Sequence, residues 1–298
     1  MTPSYAVIFK TYAWDEFVAR QLDRYRGVIR EGDLFVSVDE TRGPVGRIPH
    51  DRVVRTTNEE LIAFGLANRY EKGSLLWWNA DYPHYQFFAL YPEYDYYIFV
   101  EYDTQIRRDI DMLVQEVASS GGDLVAFPRH TDTWYWTKFH TATYRDVEIR
   151  ASLNCIAVFS ARAMQLLMRR RLELSTQANI PFWPISEAFL ATEISRSGYV
   201  FLDLGEFGNT NGYEWYPPVL EEDLVSGTAA TFLHPVLDRG RYIKSVLRYG
   251  GLPMDYLLPN SPVRRELARF PGEVSTWKLL MACRQRLIDR IKKRLGRL

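Results

Sequence analysis

The chain has 298 residues, 47% of them apolar, and 37 basic against 37 acidic side chains, enough for one large domain or two modest ones around a substantial core. Its two cysteines, Cys155 and Cys283, form neither a disulfide framework nor a zinc spacing, which points to a reducing compartment. The opening MTPSYAVIFK lacks the charged and apolar regions of a secretory signal, and no run approaches the length of a spanning helix, so the expectation is a cytoplasmic protein.

The charge is uneven. From Lys278 to Leu298 eight Lys/Arg stand against one Asp, a net of +7, so the remaining residues sum to −7 and the body of the chain is a poor nucleic-acid binder. Aromatic residues make up 14% of the chain, including 19 Tyr and 8 Trp. Such side chains suit carbohydrate-like ligands because they pair flat apolar faces with polar handles, although they also fill ordinary cores.

In chain order, YAVIF (5–9) predicts a buried strand. WDEFVARQLDRYRG (14–27) predicts a helix with Phe17, Leu22 and Tyr25 inward and Gly27 as its stop. DLFVSVDET (33–41) reads as a second strand ending on Asp39, and NEELIAFGLANRY (58–70) as a helix capped by Asn58. SLLWWNAD (74–81) is a third apolar run, strand-like in its pattern, that ends on Asn79 and Asp81. A short helix over 83–94 stops near Pro92 and leads into a strand over 96–100.

A helix over 107–122 closes on a Gly pair, and DLVAFP (123–128) comes next as a strand. NCIAVFS (154–160) precedes a helix over 161–174. SEAFLATEISRSG (186–198) predicts a helix with Ser186 as cap and Gly198 as stop, feeding the strand YVFLDLG (199–205). Strands alternating with helices through residue 205 imply an α/β layered domain with a mostly parallel sheet. Residues 206–277 are loop-rich, with many Pro, Gly and Tyr, and read as site cover or an appended subregion.

Ligands of open parallel sheets bind at the carboxyl ends of the strands. In EYDYYIFVEYDT (93–104) an apolar strand runs straight onto Glu101-Tyr102-Asp103. Two carboxylates spaced i, i+2 there can hold a hard cation, Mg2+ or Mn2+, that bridges a substrate phosphate. The plainer alternative is that Glu101 caps a turn and Asp103 caps the helix at 107–118. Asn79 and Asp81 can meet sugar or ribose hydroxyls, or Asp81 can cap the helix beginning near Pro83.

The loop FPRHTDTWYWTKFHTATYRD (127–146) sets Trp134 and Trp136 on one face of an extended segment. This suits a sugar-stacking platform, or equally a β-hairpin that covers the core edge. The tail WKLLMACRQRLIDRIKKRLGRL (277–298) is helical, with Leu280, Leu287, Ile291, Leu295 and Leu298 on one stripe. That stripe can lie on an anionic membrane surface, pack on the body, or meet a partner.

These segments resemble the nucleotide-sugar glycosyltransferases of the GT-A fold. YYIFVEYDT is similar to the strand that delivers their DxD-type motif, with Glu in place of the first Asp. The resemblance implies a GT-A-like, Rossmann-like sheet over 1–240 and an extension over 241–298 that ends in the basic helix. It implies a donor such as UDP- or GDP-sugar contacted by Asp39, Asn79, Asp81 and Tyr102, and a saccharide or lipid-linked saccharide acceptor near Trp134 and Trp136. It implies Mn2+ or Mg2+ held by Glu101 and Asp103, with His234 of FLHPVLD supplying a late metal or phosphate contact, and Glu187 of PISEAFLATEISRSGY as the acid at the acceptor, acting as general base. Lys138, Arg129 or Arg145 would add direct charge. Peripheral membrane contact through 277–298 would suit a lipid-linked acceptor. The competing expectation is a non-catalytic carbohydrate-binding or scaffold protein on the same fold. A nucleotidyltransferase or phosphohydrolase is disfavoured because no P-loop, G-x-G-x-x-G or dense Asp/His cluster occurs.

Overall fold

The computed structural model describes residues 3–67, 75–130, 143–226 and 229–294. The chain divides into two compact units, Met1–Asn209 and Thr210–Leu298.

The first unit is built on strands β1 (Tyr5–Thr11), β2 (Asp33–Asp39), β3 (Val53–Thr56) and β4 (Tyr96–Glu101), then β5 (Gln105–Ile106), β6 (Leu124–Arg129), β7 (Ala151–Ser160) and β8 (Phe201–Asp203). Seven of these form one sheet in the order β3-β2-β1-β4-β7-β6-β8, and the two-residue β5 stands outside it. The β1–β2, β2–β3, β1–β4 and β6–β8 pairs are parallel, and β7 alone runs antiparallel to β4 and β6. The sheet is therefore mostly parallel and wrapped by helices, as the alternation of apolar runs predicts.

The helices are α1 (Glu16–Arg26), α2 (Asn58–Ala63), α3 (Leu75–Trp78), α4 (Tyr82–Leu90), α5 (Ile110–Ser119), α6 (Ala161–Ser175) and α7 (Ser186–Arg196). Alternation along the strands sorts the two faces. Ala6 and Ile8 of β1 and Tyr97 and Phe99 of β4 pack with residues of α4, α6 and α7 in one core cluster. On the other face Phe9 meets Tyr25 of α1 edge-on, with ring centroids 5.8 Å apart.

Several local readings are corrected. The run 74–81 contributes the helical turn α3, and the third parallel strand at this edge is β3, whose four residues are too few to stand out in the sequence. The cap of α2 is Thr57, which forms a capping box with Glu60, rather than Asn58. The N-cap of α5 is Asp109, so Asp103 does not serve there. Ile185 precedes α7 without a side-chain cap, which places Ser186 at the first helical position.

In the second unit, β9 (Val219–Leu220), β10 (Phe232–Leu233) and β11 (Val236–Leu237) precede α8 (Arg239–Tyr249), α9 (Pro262–Leu267) and α10 (Thr276–Arg294). Leu220 and Leu237 share a core with Tyr242, Val246, Tyr256 and Leu279. Residues 210–240 therefore group with the helices α8 to α10 in the second unit. No helix among the described residues is long and apolar enough to cross a membrane.

Candidate active site

The carboxyl end of β1 and β4 carries an unusual set of buried polar side chains. Lys10, one step past the apolar run of β1, shares the face of Ala6 and Ile8 and is 1% exposed. The parallel register sets it beside Glu101, and its Nζ lies 3.3 Å from Glu101 Oε1. A lysine is rarely buried unless it is paired. β7 runs the other way, so its start, not its end, reaches this rim, and one step past the Val100–Ile156 pair Cys155 stands opposite Glu101. The Cys155 thiol is pushed well up by burial, then by the charges of Glu101 and Asp103, and it donates to Glu101.

Glu101 to Thr104 form a tight turn in which the Thr104 N–H and Oγ1 both donate to the Glu101 carbonyl, at 3.0 and 2.6 Å. Tyr102 projects the other way. Its hydroxyl lies 3.0 Å from that of Tyr12, and its ring meets Tyr12 and Phe17 edge-on. Two carboxylates at a strand end are the hard oxygen donors that Mg2+ or Mn2+ takes, so the donor chemistry of Glu101 and Asp103 fits such an ion. Lys10 already sets one positive charge against Glu101, and an ion would share that carboxylate with the ammonium.

Glu187 enters the same neighbourhood from the first turn of α7. Its carboxyl is raised to about 7, first by burial and then, after weaker opposing hydrogen bonds, by the charges of Glu101 and Asp81. Ser186 Oγ donates to its Oε2 at 3.2 Å. The start of α7 is pinned from below by a buried pair. Arg171 of α6 donates through Nε to Asp81 Oδ2 and through a terminal nitrogen to the Pro184 carbonyl, both at 2.8 Å, and both ion-pair side chains are fully buried. The guanidinium also lies 3.7 Å from the centre of the Phe189 ring.

Asp81 stands at the N-cap position of α4 without capping it, because one oxygen serves Arg171 and Tyr85. Its Oδ1 has no hydrogen-bond partner among the described residues. Asn79 accepts from Trp183 Nε1 at 2.9 Å, and its Nδ2 is likewise unpartnered. Asp39 is buried at the end of β2, with Oδ1 taken by Thr41 and Oδ2 unpartnered. His84 of α4 stacks on Phe99 with ring centroids 3.6 Å apart, and neither ring nitrogen has a hydrogen-bond partner among the described residues. Burial, then the Lys10 charge, holds it well below the ordinary histidine value, so it is neutral.

In the first unit Glu187 thus feels the charges of Glu101 and Asp81, while Glu101 and Asp103 both act on Cys155. Arg129 stacks over Phe127 at 4.7 Å, and Arg145 is exposed. Trp134, Trp136 and Lys138 lie outside the described residues. His234 belongs to the second unit, where its Nδ1 lies 2.9 Å from the Glu214 carbonyl. Sequence reasoning missed Lys10, His84 and Cys155. The signal for Lys10 was available, since a charged residue that keeps the inward alternation of a buried strand must have a partner there.

No family model and no curated protein matches the chain. Among solved structures it is similar to the apo form of the bifunctional glycosyltransferase WbbM, with 12% identity, a TM-score of 0.44, and coverage of 90% of this chain. The match spans about half, 52%, of that protein's length. It is also similar to a glycosyltransferase involved in glycosylation of the major capsid of PBCV-1, with 7% identity, a TM-score of 0.41, and coverage of 80% of this chain and 98% of that one. A third similarity is to mouse xyloside xylosyltransferase 1 in its apo form, with 9% identity, a TM-score of 0.41, and coverage of 78% and 97%.

Proposed function

We propose that the chain is a glycosyltransferase that moves a sugar from a nucleotide-diphosphate donor to a saccharide or lipid-linked saccharide acceptor. The observation that carries this reading is the gathering of Lys10, Glu101 and Glu187 at the carboxyl end of β1 and β4, with Glu187 raised to about 7. A carboxyl poised near neutrality is suited to general-base work, because it is both ionised and basic enough to take a proton at working pH.

In this reading Ser186 holds Glu187 Oε2, and the other oxygen takes the proton of the attacking acceptor hydroxyl. The new C–O bond forms at the anomeric carbon as the bond to the diphosphate breaks, and the nucleoside diphosphate leaves with the electron pair. Glu101 and Asp103 would hold Mg2+ or Mn2+, which when bound supplies charge neutralisation for the diphosphate. Lys10 orients Glu101 and limits the negative charge at the strand end. Asp39, Asn79 and Asp81, each with a buried polar atom unpartnered among the described residues, are the donor-side contacts. Trp134 and Trp136 are the acceptor platform.

Thermal unfolding with UDP, GDP and CMP, with and without Mn2+, tests the proposal. A ligand that binds only the folded state stabilises it by about 2.7 kcal/mol at a hundredfold excess over its Kd. The expected result is stabilisation by a nucleoside diphosphate that needs the metal and is lost in Asp103→Ala. Stabilisation by oligosaccharides alone would transfer the site to the carbohydrate-binding reading.

A further inference from the structure

The terminal helix α10 presents its apolar side outward. Leu279 and Ala282 turn into the core of the second unit, together with the partly buried Cys283. On the opposite side Trp277, Leu280, Met281, Leu287 and Ile291 recur at helical spacing and are between 41% and 69% exposed. An amphipathic helix packed on a body ordinarily hides such a stripe, whereas here, among the described residues, Leu280, Leu287 and Ile291 stay out of the core of this unit.

The flanks of the stripe are basic. Lys278, Lys292 and Arg294 stand beside it and are exposed, and the exposed Arg284 falls within the stripe itself, four residues after Leu280 and three before Leu287. Thr276–Arg294 carries seven Lys/Arg against one Asp, a net of +6. That one acid, Asp289, is occupied by Arg248 at 3.5 Å and by Gln285 at 2.8 Å, so it does not offset the field.

We infer that α10 is a membrane-docking helix that lies in the surface of an anionic bilayer, its apolar stripe among the acyl chains and its basic flanks on the lipid phosphates. Charge complementarity selects this occupant. A second copy of the chain would bring two strongly positive helices face to face, whereas an anionic surface satisfies stripe and flanks together. The inference rests on the second unit alone and stands whether or not the transferase reading holds.

Co-sedimentation of the full chain with vesicles tests it. Binding is expected to phosphatidylcholine vesicles containing phosphatidylglycerol, and to fall at least about ten-fold on pure phosphatidylcholine or in high salt. The combined variant Leu280→Ser, Leu287→Ser and Ile291→Ser should lose binding by a similar factor, with its thermal unfolding in solution unchanged because all three side chains are exposed. Failure of the unaltered chain to bind the anionic vesicles overturns the inference, as does equal binding by the variant. A dimer in light scattering that this variant dissolves, without vesicle binding, would give the stripe to a second copy.

Discussion

At the scale of single residues, the chemistry turns on where the proton of Glu187 sits. Its carboxyl is raised from the ordinary 4.5 to about 7, so between those values the fold keeps a proton that the unfolded chain has released. Stability attributable to this residue therefore falls as pH rises through that interval, and the loss is complete above about 7. Activity should move in the opposite direction, rising through about pH 7 to a plateau as the base ionises. Glu187→Gln is expected to slow transfer by about a hundredfold or more and to remove that limb of the pH–rate profile. It should also flatten the pH dependence of urea unfolding between about pH 5 and 8. A variant with the parent's profile would assign the base elsewhere. Glu187 was legible as an acid opening a helix, but its proton affinity was not. That property comes first from burial in the folded chain and then from the charges of Glu101 and Asp81, which lie 86 and 106 positions earlier in the sequence.

At the scale of elements, Asp123 is the joint of the sheet's far side. Standing just before β6, it accepts two bonds from Arg162 of α6 at 2.6 and 2.7 Å, one from Ser160 at the end of β7, and one from the Val200 N–H before β8. Burial alone would raise this carboxyl, but the bonds from Arg162, Val200 and Ser160 outweigh it and hold it below its usual range. Its stabilising contribution is therefore present above the ordinary aspartate value and lost as pH falls through the folded one. Asp123→Asn is expected to cost about 2–3 kcal/mol in urea unfolding near neutral pH, and less near about pH 3. Equal losses at both would show that the charge is not what matters. Elements long enough to show their period, such as α1, β2, β4 and α6, were readable from the chain. The four-residue β3 and the turn α3 were not, because so few residues carry no period and only their packing distinguishes strand from helix.

At the scale of the molecule, each unit has its own buried core, which the loop-rich composition of 206–277 concealed. Leu220 and Leu237 find their partners in α8, α9 and α10, so the second core is assembled from residues too dispersed to show periodicity. The first unit holds the complete seven-stranded sheet and the helices α1 to α7. A fragment ending at Asn209 is accordingly expected to fold and to unfold in one cooperative transition by circular dichroism. A broad, non-cooperative melt would show that the sheet depends on the residues beyond.

The single reversed strand in the sheet has a further reach. Because β7 descends where its neighbours climb, the segment from His130 to Arg150 leaves from the top of β6 and returns to the top of β7, so both its ends are fastened to the rim that bears Glu101. That stretch can lengthen, shorten or change its aromatics without altering a single rung of the ladder.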